Sequence, residues 1–131
     1  MTAKKNAGMF KLIYLSFIGL LILQFLSFMV VKYFSYIINQ QMVFGLIGNN
    51  YIANLVSIII LITLIYLFYK KFLGLEIVLI SAGLISNILD RLIYKGVIDY
   101  LSIFFIPKFN LADILIVAGA GIITYKIIRT I

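Results

Sequence analysis

The chain has 131 residues, 65% of them hydrophobic, a mean hydropathy of +1.22 and a formal net charge of +7. That apolar content lies far outside the range of a water-soluble domain and makes the bilayer the chain's solvent. Cys and His are both absent, which excludes disulfides, Cys-ligated zinc, thiol nucleophiles and the Ser-His-Asp triad, and leaves carboxylates, Lys, Tyr and Ser for any chemistry.

The positive charge does not form a groove for nucleic acid, because it is dispersed apart from adjacent lysine pairs. Its placement fits membrane topology instead. Lys4, Lys5 and Lys11 precede the first apolar run, Lys70 and Lys71 separate the second from the third, and Lys126 and Arg129 close the chain. These residues mark the cytoplasmic side, with both termini on it. No linker, charge block or internal repeat divides the chain, so residues 1–131 are expected to form a single integral membrane domain.

A spanning helix needs about 20 apolar residues to cross roughly 30 Å of hydrocarbon. The first runs over about 12–31, with Gln24 its most polar member. It is too long for a secretory signal and lacks a small-residue cleavage site after it, so it is read as an uncleaved helix. The outer segment that follows is uncharged after Lys32 and interleaves polar with apolar residues. That pattern suggests a short extracytoplasmic β-like segment on the membrane surface, with Gly45 and Gly48-Asn49 as turn points. The second helix, about 52–69, has no charge at all; the third, about 72–89, is interrupted by Glu76 and Asn87. Glu76 is near enough to the Lys70/Lys71 end to reach the interface. A loop over about 90–110 leads to the fourth helix, about 111–128, where Ala118-Gly119-Ala120-Gly121 would let helices approach closely. The fold class expected is therefore an all-α membrane protein, a bundle of four transmembrane helices.

Of only four acids, Asp90, Asp99 and Asp113 fall at or beside the second outer segment, and Glu76 lies apart. Ionisable groups at membrane depth are costly and usually face a bundle interior or a wet cavity. Asp113 could merely complete a helix cap begun by Asn110, and Asp99 could be a solvated loop acid. Alternatively the two could share one proton and activate a water, since like charges at close range cannot both ionise. Asn87 and Arg91 are four apart and share a helix face with Gly83. Arg91 could reach headgroups and Asn87 could bond between helices, or both could hold substrate carbonyls. Asp90 is off that face and is read as structural support.

Three motifs follow one another: Asn87-Ile88-Leu89-Asp90-Arg91 within a Ser81–Arg91 run, Gly96-Val97-Ile98-Asp99-Tyr100, and Phe109-Asn110-Leu111-Ala112-Asp113. They resemble the lipoprotein signal peptidase (signal peptidase II) family, whose pattern reads approximately G-N-x-x-D-R, G-x-V-x-D-F and F-N-x-A-D. The segment from Asn39 to Gly45 is similar to the family's N-x-G-x-x-F-G segment. The resemblance implies an aspartic endopeptidase of the bacterial cytoplasmic membrane, with Asp99 and Asp113 catalytic and Asn39, Asn87, Arg91 and Asn110 binding substrate. The implied substrate is a prolipoprotein with a diacylglyceryl-modified cysteine, cut at the extracytoplasmic face. Membrane lipid is the surrounding partner, nucleic acid is not one, and a monomer without metal or organic cofactor is expected.

The chain departs from the family pattern at several places. A D-Q-x-x-K motif of the first helix aligns Gln24 and Phe28 with the family's charged positions. Ser86 and Gln41 replace family glycines, and the interval from Asp99 to Asp113 is short. Competing readings are an inactive relative that binds lipoproteins or signal peptides, a Ser/Lys protease using Ser102 with Lys95 or Lys108, and a transporter. Exposed loop lysines make poor bases, and the second helix lacks the midplane polar groups expected of a transporter.

Overall fold

The structure is a computed structural model and describes residues 3–40, 49–70 and 74–131. Its four long helices are α1 (Ala3–Tyr33), α2 (Asn50–Tyr69), α3 (Leu75–Tyr94) and α4 (Leu111–Thr130), each long and apolar enough to cross a membrane. Four short strands, β1 (Ile37–Asn39), β2 (Val97–Asp99), β3 (Leu101–Ile103) and β4 (Ile106–Phe109), gather at the end of the bundle opposite the two termini.

The distribution of polarity is inverted relative to a soluble bundle. Phe25, Ile62, Ile65 and Val117 are exposed, whereas Glu76, Ser86, Asn87, Asp90 and Arg91 are buried. Helix α3 carries ten buried residues against three on α2 and two on α4, so it is the central element on which the other helices pack. In hydrocarbon this packing depends on close approach and on interhelical hydrogen bonds. The α1–α3 seam supplies such bonds: Ser16 Oγ lies 3.2 Å from Ser81 Oγ, and Gln24 Nε2 donates to Ser86 Oγ at 3.0 Å.

Close approach governs the α3–α4 seam. A Cβ on Gly119 would strike the Ile80 side chain and stand 3.0 Å from the Glu76 carbonyl, whereas one on Gly121 would meet nothing within 4 Å. Gly119→Val is therefore expected to destabilise by about 1–3 kcal/mol through overpacking, with Gly121→Val nearly neutral. Thermal unfolding in detergent checks this, and equal effects at the two glycines would contradict it. At the terminal end of the same seam, Lys126 Nζ donates to the buried Glu76 carboxylate at 2.6 Å. Glu76 thus finds its cation on α4.

Asparagine caps set the starts of α2 and α4. The Asn49 side chain accepts the N–H groups of Tyr51 and Ile52 and opens α2, so Asn49 is a helix cap and not the turn point expected from sequence. Gly45 and Gly48, the other expected turn points, lie outside the described residues. The third helix continues past residue 89 to Tyr94, taking Asp90 and Arg91 inside it, and ends at Lys95 in the left-handed conformation (φ 62°).

The β-like segment after α1 is present as β1, but it pairs with β2 across the bundle end. The pairing is antiparallel, with Ile37 opposite Asp99 and Asn39 opposite Val97. Gly96 permits it, because a Cβ there would strike the Ile38 side chain and stand 3.1 Å from the Asn39 carbonyl. The expected loop between α3 and α4 is largely a hairpin, β3 with β4, whose turn holds Phe104 at φ 39°.

Candidate active site

Each acid is delivered by a different element. Strand β2 places Asp99, which is 3% exposed, one residue before Tyr100, whose N–H donates to the Phe109 carbonyl at 3.0 Å. That bond ties the end of β2 to the end of β4. Asn110 follows at once and caps α4 in a reciprocal box: its side chain accepts the Asp113 N–H at 2.9 Å and its own N–H donates to Asp113 Oδ2 at 3.0 Å. The capping expectation for Asp113 thus holds geometrically, and the same box fixes the carboxylate at the mouth of the bundle.

The asparagines fix the acids further. Asn39 Nδ2 donates to Asp99 Oδ2 at 3.0 Å. Asn87 Nδ2 donates to Asp113 Oδ1 at 3.2 Å, and Asn87 Oδ1 accepts from Asn110 Nδ2 at 3.0 Å. Gly83 sets the depth of this contact, since a Cβ there would lie 2.6 Å from the carbonyl of Ala112, the residue before Asp113. Tyr100 Oη accepts the Leu111 N–H at 3.2 Å, another tie between the strand end and the start of α4.

Arg91 is buried and lies within electrostatic reach of Asp90, Asp99 and Asp113. Its Nη1 donates to Asn54 Oδ1 on α2 at 3.2 Å, and its Nε has no protein partner among the described residues. Asp99 Oδ1 is likewise buried and without a protein partner among them. Asp90, by contrast, accepts from Gln24 Nε2 at 3.1 Å and from Ser27 Oγ and the Ile98 N–H at 3.2 Å each. The structure therefore brings Asn39, Asn87, Arg91, Asp99, Asn110 and Asp113 to one end of the bundle. Asn54 and Ser27 were missed by sequence reasoning. The only available signal was a polar residue within an apolar helix, which a capping or lipid-interface role explains equally well.

Asp99 lies outside the spanning helices, and its carboxyl is pushed up to about 7. Burial is the main cause; the hydrogen bond from Asn39 opposes it, the charges of Asp113 and Asp90 add to it, and Arg91 opposes it. The unfolded chain releases this proton near the ordinary value of 3.8. Stability contributed by protonated Asp99 is thus complete below that value and is lost as pH rises toward 7, at about 1.4 kcal/mol per pH unit. Asp99→Asn, which carries no titrating proton, is expected to melt above wild type near pH 8, with the gap closing toward about pH 4. A gap that widens on acidification would contradict this.

An apolar groove of about 320 Å³ opens beside Asp113, lined by Ile106 and Phe109 of the hairpin and Ile114, Val117 and Ala118 of α4. The competing Ser/Lys reading is less favourably placed, since Ser102 and Lys95 are exposed, although Lys108 is half-buried.

Comparisons with known proteins agree with this architecture. Two solved structures, each described as a bacterial membrane enzyme, superpose with TM-scores of 0.81 and 0.77. They are 22% and 21% identical and cover 91% and 89% of this chain and 88% and 92% of their own. The fold is that of these bacterial membrane enzymes. The lipoprotein signal peptidase of Clostridium novyi is 32% identical over 105 residues, covering 72% of this chain and 71% of that protein. Its counterpart in Caldicellulosiruptor bescii is 34% identical over 98 residues, covering 72% and 65%. A sequence model of the signal peptidase (SPase) II family matches residues 6–129, and the chain belongs to that family.

Proposed function

We propose that this chain is an aspartic endopeptidase that removes signal peptides from diacylglyceryl-modified prolipoproteins, using Asp99 and Asp113 as a water-activating pair. The observation that carries the proposal is the delivery of two carboxyl groups, from β2 and from the first turn of α4, to one end of the bundle, each held there by an asparagine donor. Family membership supplies the substrate class. Retention of both acids in their motifs, each held by an asparagine donor, argues against a non-catalytic binding relative.

Asp99, raised to about 7, carries the shared proton near neutral pH. Asp113 then accepts a proton from the attacking water while Asp99 donates to the scissile carbonyl oxygen. The tetrahedral intermediate collapses with proton return to the leaving amine. Arg91 with Asn87 and Asn110 orients the peptide and the acids, so that attack occurs within a preset geometry. The apolar groove beside Asp113 accommodates an apolar portion of a membrane-held substrate. The basic residues at the other end of the bundle support a reading with the termini in the cytoplasm and the site at the extracytoplasmic face. The working unit is a single integral membrane domain acting as a monomer, without metal or organic cofactor.

Incubating the purified protein in detergent or nanodiscs with lipidated and unlipidated precursor tests this. Cleavage just before the modified cysteine, in the lipidated form only, is the expected result. Equal cleavage of both forms, or none of either, would overturn the assignment.

A further inference from the structure

The site as described leaves one buried network unused. Asp90 is 1% exposed, and its three donors come from two other elements. Gln24 and Ser27 reach it from α1, and the third donor is the backbone N–H of Ile98, the residue immediately before Asp99 in β2. Gln24 Nε2 also donates to Ser86, to Oγ at 3.0 Å and to the carbonyl at 3.1 Å, so its amide is held against α3 one turn before Asp90. A three-residue strand has few ladder bonds of its own. The strand that delivers Asp99 therefore depends on this carboxylate for one of its backbone anchors.

We propose that Gln24 is a positioning residue for Asp99, acting through Asp90: its side-chain amide fixes Asp90 at the α1–α3 seam, and Asp90 fixes the Ile98 N–H and with it the strand that carries Asp99. The inference rests on the dyad reading given above and extends it to the first helix. Its physical content is donor–acceptor complementarity: in this chain the Gln24 amide donates to a buried carboxylate oxygen that needs a donor.

The test uses the full chain and four variants: Gln24→Leu, Gln24→Glu, Asp90→Asn and the Gln24→Glu/Asp90→Asn pair. In the pair, the Asn at 90 donates to the Glu at 24 while its carbonyl oxygen keeps the Ile98 N–H, so the bond between positions 24 and 90 is rebuilt with its polarity reversed, while the Ser86 carbonyl loses its donor. Each variant is assayed for kcat and KM on lipidated precursor and for backbone hydrogen exchange across residues 96–100, in samples shown to be folded by thermal melting. Gln24→Leu and Gln24→Glu are expected to lose about tenfold in kcat at unchanged KM, with faster exchange at Ile98, because a loosened catalytic group costs rate rather than binding. The pair is expected to recover part of the loss in kcat and in exchange protection at Ile98. Wild-type kcat and exchange in the Gln24 variants would overturn the proposal, as would a folded pair that recovers neither, or variants that lose thermal stability alone. Absence of cleavage by the wild type would instead overturn the peptidase reading, and the exchange measurements would still decide whether Gln24 anchors the strand.

Discussion

Asp99→Asn and Asp113→Asn are each expected to abolish cleavage of a lipidated precursor, by at least about 10³-fold in kcat, while the protein still inserts and folds. An asparagine keeps the size and most of the hydrogen bonds of the acid. Asn39 can still donate to the carbonyl oxygen at position 99, and a carbonyl oxygen at 113 can still accept from the Asn110 N–H or from Asn87. What is lost is the ability to take or give a proton. At position 99 that loss removes the group whose carboxyl is raised to about 7 by burial. At position 113 it removes the partner that would accept a proton from water. Turnover near wild type by either variant, measured on purified protein, would contradict these roles.

The next largest effect is expected at Asn87. This side chain is 5% exposed and joins α3 to both members of the α4 cap, donating to Asp113 and accepting from Asn110. Asn87→Ala leaves a buried Asn110 amide without its acceptor, at a cost of about 1–3 kcal/mol, and leaves Asp113 Oδ1 without its donor. Catalysis is expected to fall about 10²-fold, because a carboxylate freed from one of its two holds no longer sits in a preset position. Both readouts come from one preparation: kcat on lipidated precursor and the melting temperature in detergent. Full activity with a lowered melting temperature would confine Asn87 to a structural role.

The four spans were legible because each is an apolar run of membrane length, and the start of α4 was legible to the residue through its Asn110 cap. The end of α3 was not. Asp90 and Arg91 read as the edge of the hydrocarbon, yet Gln24, Ser27 and Asn54 supply partners from α1 and α2 that let the helix carry both charges inward. Such pairings join residues more than 35 positions apart, and no local periodicity encodes them. The β3–β4 hairpin escaped notice for a different reason. Its strands are three and four residues long, and Phe104 takes the positive φ that a Gly or Asn would have announced. The candidate site residues were visible as motifs in order along the chain, but the pairing of β1 with β2 that brings Asn39 to Asp99 depends on contact across the bundle end.

The most direct test is a comparison of single-turnover rates for Asp99→Asn, Asp113→Asn and the doubly substituted protein, using lipidated precursor and purified, folded samples. Two carboxyl groups that work one proton between them fail together, so all three variants should sit at the same residual rate within about threefold. Losses that multiply in the double variant, or turnover retained by either single one, would show that the two acids do not act as a pair.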